Sequence, residues 1–127
     1  MLTETVIRQE DAPRFGGEGT AVTGYASPSR GSETVCLWRV VLQPGADSPV
    51  HELTSAEAFL VLSGRAMFEF DGRRHELGPG DAISVPPTIA FRLANESDQP
   101  FEAVCGMAAG GQAIVGGAEP FSPPWAV

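Results

Sequence analysis

Residues that favour turns recur along this chain at intervals of about ten residues, a spacing typical of short β-strands joined by tight connections. The 127 residues include 15 glycines and 11 prolines. These cluster in segments such as QPGADSP, GPGD and NESDQP, and runs rich in valine, leucine and aromatic residues lie between them. No window of useful length shows helical periodicity free of glycine or proline. The sequence therefore predicts an all-β fold.

Candidate strands fill the intervals between these turns. A hairpin is predicted at MFEFDGRRHEL, because Asp71 and Gly72 supply the positive φ angles of a two-residue type I′ turn. The runs AFLVL and VCLWRVVL are apolar at nearly every residue, which predicts strands covered on both sides, as in a sandwich, a small barrel or a dimer interface. The predicted strands are Gly19–Tyr25, Glu33–Gln43, Ala56–Leu62, Ala66–Phe70, Arg73–Leu77, Ala82–Val85, Ile89–Ala94 and Phe101–Met107.

The charge balance excludes several classes of function. The chain has 16 acidic and 8 basic residues and a formal net charge of −8. A nucleic-acid partner and an anionic membrane surface both need clustered positive charge, so we expect neither. All 8 basic residues are arginine, which excludes lysine Schiff bases, a P-loop and attached pyridoxal phosphate. The N-terminus lacks a signal-peptide pattern, and no apolar stretch reaches the ~18–20 residues of a membrane span, so we expect a cytoplasmic protein.

The segment PVHELTSAEAFLVLSG places a histidine and a carboxylate at the start of an apolar strand. The order is Gly45, five residues, His51, one residue, Leu53, three residues, Glu57, six residues and Gly64. This spacing resembles the first motif of the cupin superfamily, with Leu53 in place of that motif's second histidine.

The segment DGRRHELGPGDAISVPPTIAFRLAN resembles the second cupin motif. Pro79-Gly80-Asp81, Pro86-Pro87 and Asn95 fit its pattern, and the position of its late histidine falls on Phe91. The fold that this resemblance implies is a double-stranded β-helix, a jelly-roll barrel of two packed antiparallel sheets.

The resemblance covers most of the chain and implies one cupin domain. The tail GGQAIVGGAEPFSPPWAV is too rich in glycine and proline for a strand of the core, and Phe121 and Trp125 are predicted to hold it against the body of the protein or a neighbour. The predicted domain is residues 1–127, with the core motifs at about 33–108, N-terminal strands within 1–32 and the tail at 109–127.

The resemblance also implies where a metal would bind. The family's ligands are two histidines and a glutamate from the first motif and one histidine from the second, and they fall on His51, Leu53, Glu57 and Phe91. Only His51 and Glu57 can coordinate, whereas a divalent ion needs three or four protein ligands. We therefore expect no cofactor and a degenerate, metal-free centre. A divalent metal, if one binds, would be held by His51 and Glu57.

Other side chains offer alternative ligands. His75 reaches the cavity in only one orientation of its strand, so a surface histidine is predicted there. Cys36 and Cys105 lie in apolar runs and are predicted to be small buried hydrophobes, and no secretion signal supports a disulfide between them. Glu52 is adjacent to His51, and adjacent side chains of a strand point to opposite faces.

Two interpretations of His51 and Glu57 remain open. In the structural one, the two form a satisfied pair inside the barrel, because pairing offsets the desolvation of each group. In the functional one, they are a catalytic acid–base pair, in which the carboxylate orients the histidine and raises its basicity. Some cupin-like sugar epimerases use such a pair without metal, although Tyr25, the one tyrosine, does not supply a clear acid opposite His51.

Strand parity gives the candidate ligand contacts. Residues two apart share a face, so two neighbours of Glu57 along its strand are expected to join it in a cavity. An apolar cavity with a few convergent polar groups is typical of a small-molecule site, although the same side chains could fill a solid barrel. Arg39 and Arg92 are predicted to be solvated or paired with acids. The predicted ligand-binding residues are Leu53, Phe59, Val61, Phe91, Leu93 and Trp38.

Three functions follow from this reasoning. We favour a cupin that binds a small molecule in its barrel, with catalysis unresolved. The alternatives are an enzyme and a purely structural barrel. The enzyme would be a metal-free isomerase, epimerase or lyase using His51 and Glu57, or a dioxygenase-like protein with an incomplete ligand set. We also expect a homodimer, because exposed edge strands and strands apolar on both faces favour pairing between copies.

Overall fold

The computed structural model describes residues 5–127, and within them the chain is built almost entirely of β-strands. Three short 3-10 turns, Gln9–Asp11, Pro28–Arg30 and Pro124–Ala126, are its helical segments. None of these segments has the length and hydropathy to cross a bilayer. The strands are β1 (Arg14–Gly17), β2 (Thr20–Ala26), β3 (Val35–Leu42), β4 (His51–Leu53), β5 (Glu57–Ser63), β6 (Ala66–Phe70), β7 (Arg73–Leu77), β8 (Ala82–Val85), β9 (Phe91–Ala94), β10 (Phe101–Ala108) and β11 (Ala113–Val115).

These strands form two antiparallel sheets that enclose a common interior. The six-stranded sheet has the order β1-β2-β3-β10-β5-β8, and the five-stranded sheet has the order β11-β4-β9-β6-β7. Strands distant in sequence are neighbours in both sheets, which is the connectivity of a jelly-roll barrel rather than of a simple meander. The predicted fold class is therefore confirmed.

The predicted strands agree closely with the observed ones. β6, β7 and β8 have the predicted bounds. The hairpin between β6 and β7 turns at Asp71 and Gly72 with φ angles of 53° and 71°, as a type I′ turn requires. Gly64, the last residue of the first motif, has a φ of 73°, and a Cβ there would collide with the carbonyl of Pro100. The first motif therefore ends in glycine because the backbone at the end of β5 leaves no room for a side chain at position 64.

Three strands were not predicted, and one of them contradicts a prediction. β1 lies in the predicted N-terminal region 1–32, whose first four residues are outside the described part of the chain. β4 is only three residues long, Leu53 being its last residue. The tail was expected to contain no strand of the core, yet β11 pairs with β4 in the five-stranded sheet. Ala113 lies opposite Leu53 and is buried, so even this glycine-rich segment adds one core residue.

Burial alternates along the strands of the six-stranded sheet. On β3, Cys36, Trp38, Val40 and Leu42 are buried and the residues between them are more exposed. On β5 the outward residues Leu60 and Leu62 are apolar but each 45% exposed. Within one copy, these strands are therefore covered on only one face, and cover of the second face by a dimer interface, one of the predicted alternatives, stays a prediction.

One end of the barrel interior is filled by side chains, and we call it the packed end. The rings of Phe68 and Phe101 meet edge to face, with centroids 6.3 Å apart. No residue of this group is more than 2% exposed, which is the close packing expected of a protein core. The packed end consists of Val61, Ala66, Phe68, Phe101 and Ala103.

Candidate functional site

The opposite end of the barrel interior contains a cavity of about 260 Å³. Inward-facing residues of seven strands and part of the C-terminal tail form its wall, which is mainly apolar and aromatic. The lining residues are Thr20 and Val22 of β2; Trp38, Val40 and Leu42 of β3; His51 and Leu53 of β4; Glu57 and Phe59 of β5; Phe91 and Leu93 of β9; Cys105 and Met107 of β10; Ala113 and Val115 of β11; and Asp47, Ser48, Pro49, Phe121, Pro123 and Trp125 outside the strands.

His51 is held in one orientation by its backbone and ring contacts. β4 pairs with β9 through His51 and Phe91, and the two rings lie 4.3 Å apart. The Nδ1 atom of His51 is 2.8 Å from the carbonyl oxygen of Pro49. A carbonyl only accepts hydrogen bonds, so Nδ1 carries the proton of the neutral ring and Nε2 keeps the lone pair. In its neutral form, His51 is therefore an acceptor, or a base, at Nε2.

Glu57 begins β5, the strand next to the edge of the six-stranded sheet, and lies between Met107 of β10 and Val85 of β8. The residue is only 6% exposed, and burial raises the pKa of its carboxyl group from 4.5 to about 8. Among residues 5–127 no hydrogen bond or ion pair reaches this carboxyl group. At neutral pH, Glu57 is therefore mainly a neutral acid that can donate a proton or a hydrogen bond.

The predicted pair between His51 and Glu57 does not form. The proton on Nδ1 of His51 is directed to Pro49, and Glu57 has no partner within the described residues. The reason is local geometry, since Pro49 lies two residues before His51 and its carbonyl is within reach of the ring. The structure thus brings the two groups to one cavity as independent polar groups rather than as a satisfied pair.

Two cysteines lie in the interior, and only Cys105 lines the cavity. Burial, with a smaller contribution from the charge of Glu57, raises the pKa of Cys105 well above 9.0. A protonated thiol is a poor nucleophile and a poor metal ligand. The thiol of Cys36 instead donates to the carbonyl of Ala126 at 3.5 Å, so this cysteine helps to anchor the tail. Both cysteines are free, in agreement with the prediction of small buried side chains.

Seven of the eight residues predicted for the site line this cavity. They are His51, Glu57, Leu53, Phe59, Phe91, Leu93 and Trp38. The exception is Val61, which shares the inward face of β5 but lies one step further along the strand. It is 1% exposed and belongs to the packed end, so parity gave its face correctly but not its depth in the barrel.

The alternative polar residues lie elsewhere. His75 stacks on Phe70 with ring centroids 5.2 Å apart and does not line the cavity. Arg39 pairs with Glu102 at 3.0 Å, and Arg92 pairs with an acid as well. Both arginines therefore have the acidic partners that were expected for them.

The tail contributes wall residues that sequence reasoning missed. Trp125 was predicted only to hold the tail in place, and it does so by packing on Trp38 and Phe15 at 6.2 and 6.3 Å. It also lines the cavity, as do Phe121 and Pro123. The aromatic residues of this otherwise glycine- and proline-rich tail were the sequence feature that could have predicted its place in the wall.

The donor set of the cavity does not fit a divalent metal ion. Within residues 5–127, no three or more histidine, cysteine, aspartate or glutamate side chains gather as ligands would. Apolar side chains of Leu53 and Phe91 occupy the other two positions at which the resemblance implies ligands. One imidazole and one carboxyl group leave most of an ion's coordination to water, which an apolar wall opposes.

Two antiparallel sheets closed around an interior cavity define a jelly-roll barrel with room for a small molecule. Residues 38–107 match the family model described as Cupin domain. That match covers more than half of the chain, so this protein belongs to the cupin family.

A relative and several solved structures are similar to this chain. An uncharacterized protein of Methanocaldococcus jannaschii, MJ1618, is 27% identical over 111 residues, 83% of this chain and 88% of the relative. The polyketide cyclase RemF from Streptomyces resistomycificus superposes with a TM-score of 0.74 at 18% identity, covering 84% of this chain and 80% of the cyclase. A sugar phosphate isomerase of the cupin superfamily from Silicibacter pomeroyi superposes with a TM-score of 0.72 at 18% identity, covering 89% and 82%.

A larger cupin enzyme is similar over only part of its length. Salicylate 1,2-dioxygenase from Pseudoaminobacter salicylatoxidans, in its adduct with gentisate, superposes with a TM-score of 0.71 at 20% identity. The match covers 84% of this chain but 31% of the dioxygenase. At these identities the solved structures show a shared fold and not a shared activity.

Proposed function

We propose that this protein binds a small organic molecule in the barrel cavity and does so without a metal ion. The observation that carries the proposal is a largely apolar cavity of about 260 Å³ into which His51 and Glu57 bring two polar groups. Small-molecule sites usually combine an apolar wall with a few polar groups that fix orientation. The cyclase and isomerase names of two similar structures support a barrel interior that accepts small organic molecules.

Nuclear magnetic resonance tests this proposal directly. Both tryptophans of the chain, Trp38 and Trp125, line the cavity, so two indole N–H signals report on its occupancy. We expect a neutral bicyclic probe such as 2-naphthalenemethanol to shift both signals in a saturable way. Unshifted signals at saturating probe would contradict the proposal.

A matched pair of variants on β3 separates cavity binding from surface binding. Val40→Phe fills part of the cavity, because Val40 faces inward and lines it. Val41→Phe adds the same volume on the opposite face of the strand. We expect the first variant to weaken probe binding at least tenfold and the second to leave it unchanged. Equal binding by both variants would show that the probe binds outside the barrel.

A second candidate function is acid–base catalysis without metal, favoured by the hydrogen-bond geometry of His51 and the raised pKa of Glu57. His51 offers a basic Nε2, and Glu57 is a neutral acid near pH 7 because burial raises its pKa to about 8. A base and an acid facing one cavity suit proton transfer next to a carbonyl group, as in an isomerase, an epimerase or a lyase. Deuterium incorporation into 1-tetralone in D₂O tests this. Exchange above the buffer rate that disappears in His51→Gln, with probe binding retained, would support it.

We also propose that the protein is a homodimer formed through the outer face of the six-stranded sheet. The outward residues of β3 and β5 are apolar and exposed, and Val104 of β10 lies between them. We call this group, Val35, Leu37, Leu60, Leu62 and Val104, the outer sheet face. Its neighbours Arg39 and Glu102 neutralise each other at 3.0 Å, so the face has no net charge in a chain whose net charge is −8.

The size of the outer sheet face suits a second copy of the chain. The three strands of this face, spaced about 4.8 Å apart, with about eight residues rising about 3.3 Å each, give a projected area of roughly 380 Å². The accessible area of side chains on such a face is larger, and a stable interface buries about 800 Å² per partner. Sedimentation equilibrium should give a dimer that Leu60→Glu dissociates, whereas Val50→Glu, at a valine outside this face that is 57% exposed, keeps it. A monomeric wild type would contradict the proposal.

A further inference from the structure

The charges around the cavity are unevenly distributed. None of the chain's 8 arginines, all of which lie in its described part, lines the cavity. The ionisable side chains of the wall are Asp47, His51, Glu57 and Cys105. Because Nδ1 of His51 donates to Pro49, the lone pair of the neutral imidazole lies on Nε2, where it can accept a hydrogen bond. The wall therefore contains no permanent positive charge.

The arginines nearest to the wall already have partners. Arg92 contacts the wall residue Asp47 at 3.3 Å and also Glu69 at 3.4 Å. The guanidinium group of Arg30 donates to the backbone carbonyl of Trp125 at 2.7 Å and thereby holds the tail against the barrel. Moving either arginine into the cavity would break these contacts. Neither is free to neutralise a bound anion.

An anionic ligand is therefore disfavoured in this cavity. A carboxylate or a phosphate would leave water for an apolar wall with no arginine, and an unpaired buried charge is strongly unfavourable. A cation also lacks a compensating charge, because Asp47 is paired with Arg92 and Glu57 is the one remaining carboxyl group of the wall. A buried ion pair of that kind gains little once both groups have lost their water.

The shape and chemistry of the wall favour a particular kind of uncharged molecule. Aromatic side chains at Trp38, Phe59, Phe91 and Trp125 present flat apolar surfaces. A cavity of about 150 Å³ accepts benzene, so about 260 Å³ has room for one or two rings. Nε2 of His51 accepts a hydrogen bond, and the neutral carboxyl group of Glu57 donates one.

On the basis of the proposed ligand-binding function, we infer that the ligand is an uncharged molecule of one or two rings with a hydroxyl or carbonyl as its polar group. The hydroxyl donates to Nε2 of His51 or accepts from Glu57, and a carbonyl accepts from Glu57. The cavity then selects against carboxylates and phosphates, because no positive charge compensates them.

Three probes with the same skeleton test this inference. 2-Naphthalenemethanol is neutral, 2-naphthoate is an anion and 2-naphthylmethylammonium is a cation, and they differ only in one substituent. Titration calorimetry on the full chain at pH 7, with the two indole N–H signals as a check of location, ranks their affinities. We expect the neutral alcohol to bind at least about tenfold more tightly than either ion, the factor that corresponds to roughly 1.4 kcal/mol.

The outcomes separate this inference from the proposed function. Equal affinity for the three probes, or tighter binding of either ion, would overturn the inference and leave small-molecule binding in place. Indole signals that respond to none of the three probes would overturn both. Glu57→Gln distinguishes the cause, because the amide keeps the size and the hydrogen-bonding groups without a charge. We expect this variant to go on rejecting 2-naphthoate, and a loss of that rejection would attribute it to Glu57 instead of to the missing positive charge.

Discussion

The two ends of the barrel interior are built from the same strands but are filled in different ways. β5 gives Glu57 and Phe59 to the cavity and Val61 to the packed end, and β10 likewise contributes to both. A row of aromatic rings connects the two ends, from His51 through Phe91, Phe59 and Phe68 to Phe101, with neighbouring centroids 4.3 to 6.3 Å apart. The packed end has no charged group, whereas the cavity contains an unpaired buried acid.

This difference shows how one barrel separates stability from recognition. Close packing of large apolar side chains provides most of the free energy of folding, so the packed end holds the sheets together. An unpaired carboxyl group in an apolar wall lowers stability, and a fold retains it more easily where the rest of the interior is solid. Substitutions at the packed end should therefore lower the free energy of unfolding, whereas neutral replacement of the buried acid in the cavity should raise it.

The largest expected effect is at the packed end. Phe68→Ala removes a fully buried ring that contacts both Phe59 and Phe101. Such substitutions lower the free energy of unfolding by about 3–5 kcal/mol. Phe121→Ala, at the cavity wall, removes a ring that is 48% exposed and should lower it by less than about 1 kcal/mol. Urea unfolding measures both, and equal losses would remove the distinction between the two ends.

The next effect is a pH dependence that arises at Glu57. Burial raises the pKa of this carboxyl group from 4.5 to about 8, so the folded state binds a proton that the unfolded chain releases at lower pH. The free energy of unfolding should therefore fall as pH rises from 5 to 8, by roughly 3 kcal/mol at 1.36 kcal/mol per pKa unit. Glu57→Gln should flatten this slope and be the more stable protein at pH 8. If the free energy of unfolding has the same slope against pH in both proteins, the pH dependence does not arise at Glu57.

A third experiment converts the cavity into a metal centre. In Leu53→His combined with Phe91→His, the four positions of the resemblance become three histidines and Glu57, a set that suits a divalent ion. Zinc at 100 times its dissociation constant should then stabilise the variant by about 2.7 kcal/mol, seen as a raised Tm. The wild type should show no comparable shift, and His51→Ala in the variant background should remove it. Stoichiometric metal held by wild-type His51 and Glu57 would contradict the metal-free proposal.

The smallest expected effect concerns the backbone that supports β4. Thr88 has a φ of 65°, which is unfavourable for a β-branched residue, and its N–H donates to the carbonyl of Leu53 at 2.8 Å. Thr88→Asn keeps this backbone hydrogen bond and tolerates the left-handed conformation better. We expect a gain of about 0.5–1 kcal/mol in the free energy of unfolding, with ligand binding unchanged. A loss of stability would show that the threonine side chain is needed there.

Turn residues and alternation were sufficient to predict the all-β class because they act locally, whereas the jelly-roll barrel was predicted from the resemblance of two motifs to those of cupins. Asp71-Gly72 determines a hairpin from two residues, and each strand's parity follows from its own apolar pattern. β4 and β11 were missed because three-residue strands have too few residues to show alternation. They exist because they pair with each other and because β4 also pairs with β9, and these are contacts between distant parts of the chain.

The site was predictable in its members but less so in its chemistry. Motif spacing and parity found His51, Glu57 and five further residues of the wall. The proton on Nδ1 of His51 goes to Pro49, and this depends on a loop geometry that no spacing rule gives. The depth of Val61 and the place of Trp125 depend on how far along the barrel each residue lies, which alternation does not encode.

β10 joins the interior of the barrel to its outside. Cys105 and Met107 face the cavity, and the alternate residues Val104 and Gly106 point to the surface proposed for a second copy. The strand lies between β3 and β5, so its backbone has neighbours on both edges and moves only with them. An occupant that displaces β10 alters the curvature of that surface. Ligand affinity and self-association would then be thermodynamically linked, each depending on the concentration of the other species.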